Sequence, residues 1–334
     1  MGRALSRYFE ELVTQFGNGW NRFWYTPSDP LPLGLLRILT GLVACYFQVT
    51  YVWDLVRLFG PQGMLPVDVV RQFSGPQVSF SYLSYLQTPS ELWTAHLVGT
   101  VILILLTVGL WSRVTSILAL VVTLSYVHRA PMLTGTFEPV LTMLLFYLCI
   151  GPAGRALSVD QWLRHRKGHD EEKPTDGAAR DGQRYFSANI AIRLIQIHVC
   201  VIYLMMGISK LAEPGETWWL GDAVWWLIAM PESRLVDLTW LAGHPYVIIA
   251  WSHLILMLEL IFPVLIWNRL ARPPLLTLAT MLWVSLALIT GMVPFCGTMI
   301  IAGVAFIPAV TLRAVLGRHA TDKLTAGGET PAVQ

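Results

Sequence analysis

Charge is what this chain has least of. Only 13% of its 334 residues are Asp, Glu, Lys or Arg, whereas a soluble domain carries about a quarter. That shortage excludes an ordinary water-soluble globule. Cysteine is equally uninformative as a framework. Cys45, Cys149, Cys200 and Cys296 stand singly inside apolar runs, and no CxxC occurs. Neither a disulfide scaffold nor a metal knuckle is therefore expected, and no metal is predicted. The four read as small core residues. The net charge of +2, with no basic helix and no zinc spacing, argues against a nucleic-acid partner. The first 30 residues lack the apolar centre of a cleavable signal, so the first spanning helix is expected to act as an uncleaved anchor. No internal repeat is evident.

What remains is apolar sequence in long runs, 54% of the chain. The lipid bilayer is the expected partner, and only helices or closed barrels satisfy a backbone there. The fold class predicted is all-α: a polytopic helical bundle in the cell membrane. Eight spans are expected, at about 33–56, 92–112, 114–131, 133–151, 188–210, 245–267, 274–292 and 295–315. The third and fourth are short and are joined by HRAPML. Residues 1–25 form a segment of their own. Within them Leu5, Phe9, Leu12, Val13, Phe16, Trp20 and Phe23 recur at three- and four-residue steps, the pattern of an amphipathic helix lying on the membrane. TPSDPLP breaks it at Thr26–Pro32. Residues 26–315 make the membrane domain, and 316–334 a loose polar tail.

Three connections interrupt the spans. Residues 57–91 are expected outside, with room for a short surface helix. Residues 152–187 are a polar cytoplasmic insertion with a disordered middle; Ser158 and Gln161 fit a capping box opening a surface helix. The outer loop 211–244 holds five tryptophans, read first as an interfacial belt and second as flanking a half-inserted helix near 222–230. With the N-terminus inside, 18 of the 23 Lys and Arg residues fall on the cytoplasmic side. This asymmetry predicts both termini in the cytoplasm.

One stretch carries polar groups at a fixed interval through apolar sequence. Asn189, Gln196, Tyr203 and Lys210 are seven residues apart. A step of seven drifts only about 20° around a helix, so the four form one oblique seam about 30 Å long. The remaining intramembrane charges sort into two layers. Asp54, His128, Arg129, Glu138 and Lys210 lie near outer helix ends, and Arg37, Arg193 and Glu259 lie deeper. Glu259, the deepest acid, is expected to pair with Arg37 or Arg193 as a structural bridge. Lys210 is the first candidate for chemistry. A desolvated amine can take a proton from a weakly acidic hydroxyl, with Glu138 or His128 orienting or relaying it. The plain alternatives are that Lys210 snorkels to the headgroups, that His128 closes a helix, that Trp218 and Trp219 belong to the belt, and that Gln196 and Tyr203 bond neighbouring helices.

Four segments occur in a characteristic order: NRFWYTPSDPLPLGLLRILTG at 21–41, GLWSRVTSILALVVTLSYVHRAP at 109–131, ALSVDQWL at 156–163, and GISKL followed by WWLGDAVWW between 207 and 226. Together they resemble the HTTM-domain proteins, the membrane family that includes vitamin K-dependent gamma-carboxylase. The resemblance covers about 20–313. It implies a membrane quinol, a vitamin K hydroquinone or a relative of it, as cofactor. It further implies that Lys210, in a matching Lys-Leu segment followed by tryptophans, is the base that deprotonates it. The oxygenated quinol would then act as a strong base in an epoxidase or carboxylase-like reaction. A histidine that the family places ahead of the Ser-Val-Asp segment would fall near Phe137 or Glu138, where none stands. Two functions follow as expectations. The first is a quinol-dependent membrane enzyme with Lys210, Glu138 and His128 as catalytic candidates and Gln196, Tyr203, Trp218 and Trp219 lining the site. The second is a non-catalytic transporter or membrane partner protein.

Overall fold

The computed structural model describes residues 2–60, 62–74, 80–166, 184–212, 216–230 and 235–315. Among them the chain is helical throughout, with one isolated β-bridge between Ser28 and Tyr185. The helices are α1 Gly2–Tyr25, α2 Leu31–Thr50, α3 Leu55–Phe59, α4 Val67–Ser74, α5 Pro89–Val108, α6 Ser112–Arg129 and α7 Phe137–Ile150. They continue as α8 Val159–Arg166, α9 Phe186–Ala212, α10 Thr217–Leu220, α11 Ala223–Ala229, α12 Pro245–Leu265, α13 Arg272–Thr290 and α14 Val293–Gly303. A last helix, α15 Ala309–Val315, follows α14 across a bend of 109°.

This is a helical membrane bundle. Five helices are long and apolar enough to cross a bilayer, namely α2, α5, α9, α12 and α13, and a sixth crossing arises if the bent α14–α15 pair counts as one. The expectation of eight also enlists α6 and α7. Helix α6 has the length, 18 residues, but its serines, threonines, His128 and two arginines leave it less apolar; α7 falls short in length. Helix α7 has 14 residues, about 21 Å at 1.5 Å per residue, less than the hydrocarbon thickness.

Short as it is, α7 stands at the centre. Val140, Met143, Leu144 and Leu148 enter one buried cluster with α9, α12, α13 and α14. Leu141 and Leu145 enter a second cluster with α2, α5 and α6. A helix apolar on all sides is a buried helix, and α7 is the wall between two half-bundles. The α1 helix behaves as its periodicity predicts. Leu12, Val13, Phe16 and Trp20 are exposed along it, an apolar face with no protein beneath it. Its end is tied down: Asn189 Nδ2 donates to the carbonyls of Phe23 and Trp24, both at 2.8 Å.

The N-terminal parts of α2 and α6 and the C-terminal end of α5 meet at a polar node. Arg37 is fully buried; it donates to Leu157 O at 2.6 Å and Ser112 Oγ at 3.3 Å. Asp160, from α8, accepts from the backbone N–H groups of Trp111 and Ser112 and from Ser112 Oγ, all at 2.8 Å. A carboxylate thus caps α6 from 48 residues away, where the helix dipole favours negative charge. It also holds Trp111 in the left-handed conformation, φ 48°. Gly109 ends α5 at φ 80°, and a Cβ there would run into the Arg37 guanidinium. The first three of the resembling segments converge on this node. Ser158 Oγ accepts from Gln161 N at 3.0 Å, opening α8 as expected; the rest of the 152–187 insertion, from 167 to 183, and the tail from 316 lie outside the described residues.

Gly109→Ala is expected to lower the unfolding midpoint of the purified protein, because a left-handed alanine costs about 1–2 kcal/mol before Arg37 is displaced. Gly19→Ala, where nothing lies within 4 Å, is expected to leave it unchanged or raise it. Tryptophan fluorescence on heating in detergent reads both.

Candidate functional site

Helix α9 runs 27 residues without a proline, about 40 Å, and its four seam residues each meet a different element. Asn189 holds the end of α1. Gln196 donates to Ala305 O at 2.7 Å and accepts from Arg193 Nη1 at 3.0 Å. Tyr203, buried, stacks on Phe262 of α12 with centroids 4.0 Å apart and accepts from Trp283 Nε1 of α13 at 2.5 Å. Lys210 pairs with Glu259 of α12. In a medium without water every polar side chain needs such a partner, so the seam sets where the neighbours pack.

The Lys210–Glu259 pair corrects one expectation. Glu259 bonds neither Arg37, which is engaged at the polar node, nor Arg193, whose guanidinium lies over Phe23 at 4.3 Å and Trp267 at 5.9 Å. The reason is a vertical offset. Arg193 is 17 residues from Lys210, about 25 Å along α9, and cannot reach the same acid. Residues 216–244 do not merely loop over the outer surface. Helices α10 and α11 pack against α12, burying Ala223, Val224 and Ile228, and Val224 N donates to Ser252 Oγ at 3.1 Å. Glu259, the fifteenth residue of α12, sits level with Lys210, so α12 starts about 21 Å beyond that lysine. A helix is present near 222–230, α11.

The same cap divides the tryptophans. Trp218 roofs the pair, with Lys210 Nζ 5.0 Å from its ring centroid, a cation–π contact. Trp225 packs on the core. Trp219, Trp226 and Trp240 are exposed, as a belt would be. Trp219 donates from Nε1 to Leu211 O at 3.2 Å and does not line the pair. Gly207 allows the approach of α9 to α12: a Cβ there would lie 2.8 Å from Leu260 Cδ2 and 3.3 Å from Glu259 Cβ.

The pair is sheltered. The side chains of Lys210 and Glu259 are 17% and 2% exposed. Glu259 Oε1 takes Lys210, while Oε2 is buried and has no hydrogen-bond partner. An apolar cavity of about 110 Å³ opens beside Tyr203, Phe262 and Trp283, bounded outward by Leu276, Ile300 and Gly303, a volume on the scale of one aromatic ring. Phe262, which lines the cavity, is one helical turn from Glu259 on α12; Glu259 and Lys210 themselves are not among the lining residues.

Glu138 and His128 are elsewhere. Glu138 is buried and accepts from Gly135 N at 2.9 Å, closing the turn before α7. His128 Nδ1 meets Phe80 O at 3.0 Å. Neither bonds Lys210, so no relay through them is built. What sequence reasoning missed was the partnership of Lys210 with Glu259 and the roles of Phe262 and Trp283. A signal was present: Ser252 and Glu259 are themselves seven apart, a second polar line on α12, of which Ser252 meets α11 and Glu259 meets α9. No known family model, no curated protein and no solved structure matches this chain significantly.

Removing one member of a buried pair strands the other, at a cost of about 3–5 kcal/mol. Lys210→Met is therefore expected to destabilise the protein strongly. Lys210→Met combined with Glu259→Met is expected to recover most of the loss. A thermal double-mutant cycle in detergent measures the coupling.

Proposed function

We propose that this chain is an integral-membrane protein that binds a lipophilic hydroxyl compound, a quinol, and takes a proton from it with the Lys210–Glu259 pair. The observation that carries the reading is the orphaned Oε2 of Glu259, buried beside an ion pair and one helical turn from Phe262, which lines an apolar, aromatic-walled cavity. A buried acceptor without a donor is rare, and a substrate hydroxyl is the donor it lacks. The resemblance to HTTM-domain proteins points to the same lysine.

The proton balance follows from the pair. Glu259 Oε2, the acceptor left free beside the ion pair, takes the hydroxyl proton. The net transfer is one proton from substrate to pair. The quinolate that forms replaces the carboxylate as the counter-ion of Lys210, and Tyr203 and Trp283 hold the ring. A quinolate gives electrons to dioxygen more readily than a quinol, so oxidation would follow with dioxygen as the co-reactant.

The reading places the pair near the outer membrane face. Eight crossings, formed by α2, α5, α6, α7, α9, α12, α13 and the α14–α15 pair, put both termini in the cytoplasm. The Lys and Arg asymmetry supports this.

Lys210→Gln with Glu259→Gln keeps the volume and an amide contact but removes the base. Purified wild type in nanodiscs is expected to retain a lipophilic quinone detectable by mass spectrometry and to oxidise added menaquinol. The double variant is expected to fold and lose turnover at least about 100-fold, the usual range for a lost general base. A folded double variant with unchanged turnover, or a wild type that neither binds nor oxidises quinols, would sink the proposal. For sidedness, an impermeant maleimide is expected to label a cysteine at Glu216 in intact cells and not one at Arg269.

A further inference from the structure

The second half-bundle contains a charged group for which the reading above has no use. Arg129, the last residue of α6, is 2% exposed. Its Nη2 donates to Phe59 O at 3.3 Å, while Nε and Nη1 are buried without acceptors. Among the described residues no carboxylate lies within 4 Å of it. Of the acids of this half, Asp54 pairs with Arg57, Glu91 caps α5, Glu138 accepts from Gly135 N, and Asp68 on α4 is exposed. The carbonyl end of α6 offsets part of the charge. It does not supply the missing acceptors.

Arg129 is not isolated. One turn back on α6, Tyr126 Oη meets His96 Nδ1 at 2.8 Å and Gln48 Nε2 at 3.2 Å. The Tyr126 ring stacks on Tyr51 at 5.5 Å and meets Phe59, whose carbonyl Arg129 holds, at 5.3 Å. Tyr82 follows Ser81, whose Oγ donates to Ser125 O at 2.7 Å, next to Tyr126 on α6. In this part of the bundle Tyr82 Oη, His96 Nε2 and Gln48 Oε1 are also buried without partners. Buried polar groups in folded proteins are almost always satisfied. Several orphans on four helical elements, with an unneutralised guanidinium linked to Tyr126 through Phe59, describe a cluster short of one ligand.

We infer that Arg129, with Tyr82 and the Gln48–His96–Tyr126 network, forms a second site that binds a compact oxyanion, a carboxylate or phosphate group. The charge sets the class. A neutral ligand or water would fill the hydrogen bonds but leave the guanidinium uncompensated at a cost of several kcal/mol. An oxyanion supplies both the charge and the acceptors that the Arg129 nitrogens and the Tyr82 hydroxyl need, because guanidinium donors and a phenol hydroxyl all point protons at oxygen; Gln48 Oε1, itself an acceptor, is not one of its partners. The site is independent of Lys210, since α7 separates the two clusters.

The same chemistry can arrive as a free anion or on a lipid headgroup, and the test separates them. The full-length protein is placed in phosphatidylcholine nanodiscs, and its unfolding midpoint is followed with sodium acetate, sodium phosphate or sodium chloride at equal ionic strength. A parallel set contains phosphatidylglycerol. A wild-type rise of about 3 °C or more with acetate or phosphate over chloride assigns a soluble oxyanion. The same rise with phosphatidylglycerol alone assigns a lipid phosphate. In either case Arg129→Gln is expected to abolish the rise, and Tyr82→Phe, which keeps the fold's charge and packing, to cut the apparent affinity about 3- to 10-fold. A wild-type midpoint indifferent to all three anions and to phosphatidylglycerol overturns the inference. So does a rise that survives in Tyr82→Phe unchanged and in Arg129→Gln.

Discussion

A lysine and a glutamate that meet inside an apolar bundle tie α9 to α12, and much of the molecule is arranged so that they can. Each charge is tolerable there only because the other is present. Their meeting requires Gly207, whose missing side chain lets the two helices close. It also requires the cap of α10 and α11, which brings Trp218 over the amine. The same rule operates down the length of α9. Tyr203 binds Trp283, Gln196 binds Ala305, and Asn189 binds the end of α1. Lipid offers these groups nothing, so each fastens a neighbour in place.

The opposite half-bundle obeys the rule less completely. At one end Arg37, Ser112 and Asp160 close on one another across α2, α6 and α8, though Arg37 Nε is unmet. At the other end Arg129 has two nitrogens unmet and no carboxylate partner among the described residues. Glu259 Oε2 is the corresponding vacancy in bonding on the first side. The two deficits differ in sign: one lacks a donor beside an ion pair, the other an acceptor beside a lone cation. That difference is why the first is read as a place for a hydroxyl and the second as a place for an oxyanion.

Much of the architecture was legible in residue order. Apolar runs marked the membrane class, and the periodicity of Leu12, Phe16 and Trp20 marked a helix with one open apolar face. Ser158 marked the start of α8. The seam on α9 was visible because a step of seven keeps side chains on one line. The candidate site was legible in part. Lys210 and Tyr203 were found, and Trp218 was named. Glu259 was singled out but assigned the wrong partner, since depth counted along one helix says nothing about how far that helix is displaced against the next. Glu138 and His128 looked like neighbours of Lys210 only because counting spans puts all three near the same membrane face; they bond elsewhere, to Gly135 N and Phe80 O.

The residue order by itself determined that this is a helical membrane protein with a polar line buried in α9, because a 3.6-residue period and the absence of water are local constraints. Tertiary structure alone decided that Lys210 meets Glu259, that α7 divides the bundle in two, and that Arg129 is left without an acid. Those outcomes depend on the axial offset between helices, which is set by the folded-back cap at 216–244 and by where glycine permits close approach. Such an offset is a sum over many packing contacts and is written in no single stretch of the chain.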